Sequence, residues 1–108
     1  MKKVEIKLSE LVNPPKTDSI SGREFGEDYA KKIKLVQLFE QEVIVDVVID
    51  DSVIKAINDS FIKGLFSSVF KKYKTIANVK KHVSINANEY FKRLFEKNWM
   101  ILQEINNV

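Results

Sequence analysis

The sequence predicts an α/β fold, a mostly parallel or mixed sheet of three to five strands covered by about three helices, in one domain spanning residues 1–108. Three patterns carry this expectation. Glu42-Val43-Ile44-Val45-Asp46-Val47-Val48-Ile49-Asp50 is an almost unbroken β-branched run, as expected of a strand buried on both faces. Ile62, Leu65, Phe66, Val69, Phe70 and Tyr73 recur at helical spacing and make an apolar stripe wide enough to cover a sheet. Val4-Glu5-Ile6-Lys7-Leu8 and His82-Val83-Ser84-Ile85-Asn86 alternate apolar and polar residues, the pattern of strands with one buried face.

The elements follow in the order strand, helix, strand, helix, strand, helix, which calls for crossover connections rather than hairpins. After the first strand, Asn13-Pro14-Pro15-Lys16-Thr17-Asp18 forms a loop, because the prolines remove backbone donors and restrict the residues before them. Ser21-Gly22-Arg23-Glu24 has the Ser-x-x-Glu spacing of a capping box and opens a first helix over about Gly22 to Phe39. Phe25, Tyr29, Ile33 and Val36 supply its apolar stripe, with Lys31, Lys32 and Lys34 outward. The central strand then passes through a short connection, Asp50 to Ile57, which lacks an Asn-Gly or Asp-Gly turn signal. Asn58, Asp59 and Ser60 compete to cap the second helix. Gly64 inside that helix costs up to about 1 kcal/mol relative to Ala, which points to close approach of a neighbouring backbone. Gly22 and Gly26 are assigned to close packing for the same reason. Asn86 or Asn88 caps a last helix carrying Phe91, Leu94, Phe95, Leu102 and Ile105, with Trp99 off the strict stripe, either partly exposed as an interface anchor or packed on the flank of the domain.

Composition narrows the function classes. An apolar fraction of 44% with 31% charged residues is that of a self-folding globular chain, not a disordered one. The net charge of +3 comes from 18 basic residues interspersed with 15 acidic ones, which is only weak evidence for a polyanion partner. The absence of cysteine removes disulfides, thiolate metal sites and cysteine nucleophiles and fits a reducing compartment. The charged start and the lack of a long apolar window predict a cytosolic, unprocessed protein with no membrane span.

Few residues suit catalysis. His82 has Lys80 and Lys81 beside it and no acid near it in sequence, so a surface position at a strand edge is expected. No His or Cys pair has metal-ligand spacing, Asp50-Asp51 lacks the later oxygens of a calcium loop, and no glycine-rich phosphate loop is present. No catalytic residue, metal or cofactor is therefore assigned. Asp46, inside the central run, needs a partner if ionised; it faces a lysine, meets the start of the first helix, or points outward from an incompletely covered sheet. Lys71, Lys72, Lys74, Lys80 and Lys81 form the densest basic cluster, but interleaved arginines and exposed aromatics are missing, so a solvated face is expected rather than a nucleic-acid site. Ser60 is the remaining candidate, as a helix cap or as a phosphorylation or anion-contact site at the positive end of a helix dipole.

The set Ser21-Gly22-Arg23-Glu24-Phe25, Val43-Ile44-Val45-Asp46 and Ile57-Asn58-Asp59-Ser60-Phe61-Ile62-Lys63-Gly64-Leu65-Phe66 resembles the STAS-like domains of unknown function found in bacteria and their phages. Those domains look like relatives of sulfate-transporter and anti-sigma-factor-antagonist modules, in which an Asp-Ser-Ser-Gly corner carries a serine phosphorylated by a partner kinase. By position, the resemblance makes Ser60 that serine, with Asp59 in place of the preceding serine and Phe61 in place of the glycine. It implies a non-enzymatic regulatory module, monomeric or a small homo-oligomer, that binds a protein such as a kinase-like ATPase regulator. The expected contact residues are Asn58, Asp59, Ser60, Phe61 and Ile62, with Ser21 and Arg23 from the start of the first helix. Two alternatives share the scaffold: a phage-encoded or defence-associated inhibitor of a larger host protein, and a small nucleotide- or phosphate-binding domain in which Asp46 or Asp50 assists the Ser60 corner.

Overall fold

A computed structural model describes residues 2–107. Its strands are β1 (Lys2–Lys7), β2 (Ser19–Ile20), β3 (Val43–Val48), β4 (Ala56–Ile57) and β5 (Val83–Asn86). Its helices are α1 (Arg23–Lys32), α2 (Leu35–Glu40), α3 (Asp59–Tyr73), α4 (Ile76–Lys80) and α5 (Glu89–Asn106), with a 3-10 turn at Leu8–Leu11. The fold is α/β. β1, β3 and β5 form a parallel sheet with β3 in the centre, and β2 pairs with β4 in a separate parallel ribbon. No helix among the described residues is long and apolar enough to cross a membrane.

The order β1-β3-β5 advances in one direction across the sheet, so successive crossovers of one hand place their helices on the same face. Side chains alternate along β3, and Val43, Val45 and Val47 turn into the core. The register carries this face across to Val4 and Ile6 on β1 and to Val83 and Ile85 on β5. The opposite face bears Glu5, Asp46 and Ser84 in one row, with half-buried Ile44 and Val48 on either side of Asp46 along β3. The strand expected to be buried on both faces is fully buried on one and half-buried on the other, so the long β-branched run reflects strand propensity as well as burial. Of the positions open to Asp46, the structure selects the less covered face of the sheet. Its carboxylate accepts a hydrogen bond from Ser84 Oγ at 2.7 Å, which supplies the partner that its 5% exposure demands.

α3 is the core's central helix. Phe61, Ile62, Leu65, Phe66, Val69 and Phe70 are all buried, and α3 packs between α1 on one side and α5 on the other. Phe66 meets Phe95 and Trp99 edge-on, with ring centroids 5.9 and 5.3 Å away. Of the two positions open to Trp99, the structure selects packing: the side chain is 2% exposed, because the buried face of α5 runs through Phe91, Phe95, Asn98, Trp99 and Leu102. Ile105, assigned to that stripe, is 60% exposed.

The first helix is interrupted. Lys34 adopts a left-handed conformation (φ 56°) between α1 and α2, so the single helix expected over Gly22 to Phe39 is two. Phe25, expected on its apolar stripe, is 44% exposed, while Gly26, Tyr29 and Ala30 form the face that packs on α3. Gly26 and Gly64 are the point of closest approach. A Cβ on Gly26 would strike the Phe61 carbonyl and one on Gly64 the Arg23 carbonyl, so each helix sits against the other's backbone. At the far end of the core, His82 just ahead of β5 is half-buried rather than at the surface position expected, in a cluster of three rings with Phe39 and Tyr73, whose centroids lie 5.1 Å from it and 5.5 Å from each other.

Candidate functional site

The site is built by the two-residue ribbon. Ser19 pairs with Ala56 and Ile20 with Ile57, and flanking bonds from Lys55 N to Asp18 O and from Asn58 N to Ile20 O extend the pairing at both ends. Both strands then turn directly into helices, which sets the starts of α1 and α3 side by side. The segment feeding α3 is therefore β4, not the central strand β3, from which it is separated by the turn at Asp50 to Ile54. Asp50 is occupied within that turn, where its Oδ1 accepts from Ser52 Oγ at 2.6 Å and Ser52 N at 3.0 Å. These two bonds hold its carboxyl below the usual range.

At the corner, Asn58 is the residue that caps α3. Its Oδ1 accepts from both Ser60 N (2.8 Å) and Ser60 Oγ (2.7 Å), satisfying a donor that the helix leaves free. Ser60 Oγ in turn accepts from Gly22 N at 3.3 Å. The half-buried Ser60 hydroxyl thus joins the beginnings of two helices that lie far apart in sequence. The capping box expected from Ser21 and Glu24 is not formed: α1 starts after Gly22, whose φ of 103° turns the chain, and no side chain caps it. Ser21 and Arg23 are exposed at this edge, with Arg23 Nε 3.9 Å from Glu27 Oε2 across the solvated side of α1.

Asp59 faces the other way, onto α5. Asn98 Nδ2 donates to its Oδ1 at 2.9 Å and Lys97 Nζ lies 3.5 Å from its Oδ2. The Asn98 hydrogen bond, against some desolvation and helped by Lys97, holds the Asp59 carboxyl below its ordinary range. A depressed folded-state pKa contributes stability above the unfolded pKa, and that contribution is lost as pH falls through the folded value. Wild type and Asp59→Asn should accordingly differ most at neutral pH, by under about 1 kcal/mol for so exposed a group. The gap should narrow below about pH 4 in urea titrations at several pH values; a gap that widens toward acid refutes this linkage.

Of the predicted contact residues, the structure gathers Ser21, Arg23, Asn58, Asp59 and Ser60 at one edge. Phe61 and Ile62 are removed from that surface: both are 0% exposed in the core, because the buried face of α3 begins within its first turn. Phe25 takes their place as the apolar element, its ring 5.7 Å from Phe61 and its outer side in solvent. On the α5 side, Lys97 joins the corner at the surface and Asn98 reaches Asp59 from the buried face of the helix, while Tyr90, Arg93, half-buried Leu94 and Lys97 line a groove of about 330 Å³ beside it. Lys97, Asn98, Tyr90 and Arg93 are not legible in the sequence as part of the corner, because nothing in the pattern of α5 indicates which element its polar residues will meet.

The remaining candidates lie elsewhere. Within the basic cluster, Lys72 pairs with Glu40 at 3.0 Å and Lys80 with Glu96 at 3.5 Å, so acids on α2 and α5 offset part of its charge. Tyr29, buried against Phe61, has its phenol pushed up to about 12 by desolvation and by the charge of Glu10, and stays neutral. Comparison with protein-family models, curated proteins and solved structures returns no match to this chain.

Proposed function

We propose that the chain is a non-enzymatic, STAS-like interaction module that binds a regulatory protein, of the kinase-like ATPase type, at the corner where α1 and α3 begin. The observation that carries this reading is the hydrogen bond from Gly22 N to Ser60 Oγ, which fixes two exposed polar turns as one surface. Ser21, Arg23 and Asn58 supply a polar rim, and the exposed part of Phe25 supplies an apolar contact of the kind that dominates interface energetics. Asp59 is directed at Lys97 rather than at Ser60, which lessens the repulsion that a phosphate on Ser60 would meet from its neighbour. A phosphate there would displace Ser60 Oγ from Asn58 and loosen the link to Gly22, so modification would reshape the surface as well as charge it.

The test is a quantitative pull-down with wild type, Ser60→Ala, Ser60→Asp and Phe25→Ala, with circular dichroism verifying that each is folded. Ser60→Asp and Phe25→Ala should each cut recovery of a specific partner about tenfold or more, while Ser60→Ala retains most of it. Equal recovery by all four proteins removes the corner from the interface.

A further inference from the structure

A cavity of about 360 Å³ lies at the other end of α1, where the chain bends into α2 over the middle of α3. Leu35, Leu65 and Val69, all buried, line its floor, and the exposed Lys31, Lys34 and Ser68 stand at its mouth. No acidic residue lines it. Among the described residues neither Lys31 nor Lys34 makes an ion pair, although Lys72 on the adjoining α3 pairs with Glu40. Lys34 also occupies a left-handed backbone position, which glycine or asparagine adopts at little cost and lysine does not. A strained turn therefore holds one unpaired ammonium at the mouth of an apolar cavity, with a second about one helical turn before it in the chain.

We propose that this cavity is a binding site for a small amphipathic carboxylate, its hydrocarbon body on the Leu35, Leu65 and Val69 floor and its headgroup between Lys31, Lys34 and the Ser68 hydroxyl. The volume falls in the range of small-molecule sites, whose walls are mainly apolar with a few polar groups that fix orientation. Burial of the chain provides affinity, and the two cations select the charge of the head. An uncharged alcohol of equal length gains only the first contribution, and a quaternary ammonium is repelled.

The probe is decanoate, with decanol and decyltrimethylammonium as comparisons, followed by amide NMR shifts and thermal shift. Decanoate at millimolar concentration should move the amide signals of Leu35, Val36 and Ser68 and raise the melting temperature by mass action. Decanol should bind about tenfold more weakly, and the ammonium compound should leave those signals in place. Lys34→Gly relieves the backbone while removing one charge, so it should melt no lower than wild type yet bind decanoate about tenfold more weakly; Lys31→Ala should weaken it similarly. Equal binding of decanol and decanoate, undiminished binding by both variants, shifts confined to other residues, or no shift at all would overturn the proposal.

Discussion

Gly64→Ala should destabilise the protein by about 3 kcal/mol or more, at the upper end of what overpacking costs, because the obstacle is a main-chain carbonyl rather than a side chain that can rotate away. The added methyl would strike the carbonyl of Arg23, and relief requires moving α1 bodily off α3. Gly26→Ala meets the same helix pair from the other side, at the Phe61 carbonyl and, at 2.8 Å, the Leu65 nitrogen. Since one displacement of α1 accommodates both methyls, the double variant should lose less than the sum of the two single losses. In urea denaturation a loss below about 1 kcal/mol for Gly64→Ala would show that the helices are not in backbone contact. The corner should respond as well, since displacing α1 stretches the bond between Gly22 N and Ser60 Oγ.

Phe66→Ala has the next largest expected effect. The ring is 0% exposed and meets Phe95 and Trp99 at interplanar angles of 81° and 82°, so its removal costs both transfer free energy and the cavity left between α3 and α5. The loss should be about 3–5 kcal/mol, which by the usual size scaling lowers the melting temperature by more than about 10 °C. Trp99 is the chain's one tryptophan and reports locally: its emission should change in the folded variant as the ring packed edge-on against it is lost. A loss under about 2 kcal/mol with unchanged emission would mean that the neighbouring rings close the gap without strain.

The elements that could be read from the chain are those whose pattern and termini agree. β3 falls inside the β-branched run, and α3 combines a continuous apolar stripe with an Asn cap. α5 likewise begins at Asn88, whose side chain accepts from Phe91 N. The break at Lys34 was hidden because Ile33 and Val36 continue the helical period across it, and a lysine in a left-handed conformation carries no signal of the kind glycine gives. Gly64 was recognised because its cost inside a helix demands a tight neighbour, but only the fold names that neighbour as Arg23. Half of the corner was visible as Asn58-Asp59-Ser60 and the other half as Ser21-Gly22-Arg23. Their convergence was not, because it depends on Ser19–Ile20 and Ala56–Ile57, and two residues are too short to show any period. Sequence proximity to Ser60 puts Phe61 and Ile62 among the contact residues, but rotation about the axis of α3 sends both inward, which for Ile62 agrees with its place on the apolar stripe.

The pairing scheme also bears on how the protein emerges from the ribosome. Lys2 joins Val43, Ser19 joins Ala56 and Val45 joins Val83, so every sheet contact waits on synthesis of a helical segment between its two halves. Such long closures disfavour early strand pairing, and assembly is expected to begin with local helix formation. Until Val83–Asn86 has been translated, β3 keeps one bare edge along Val-Ile-Val-Asp-Val-Val. Asp46 is the only charge in that stretch, which makes it a gatekeeper against intermolecular strand addition during biosynthesis as well as the partner of Ser84 in the finished sheet.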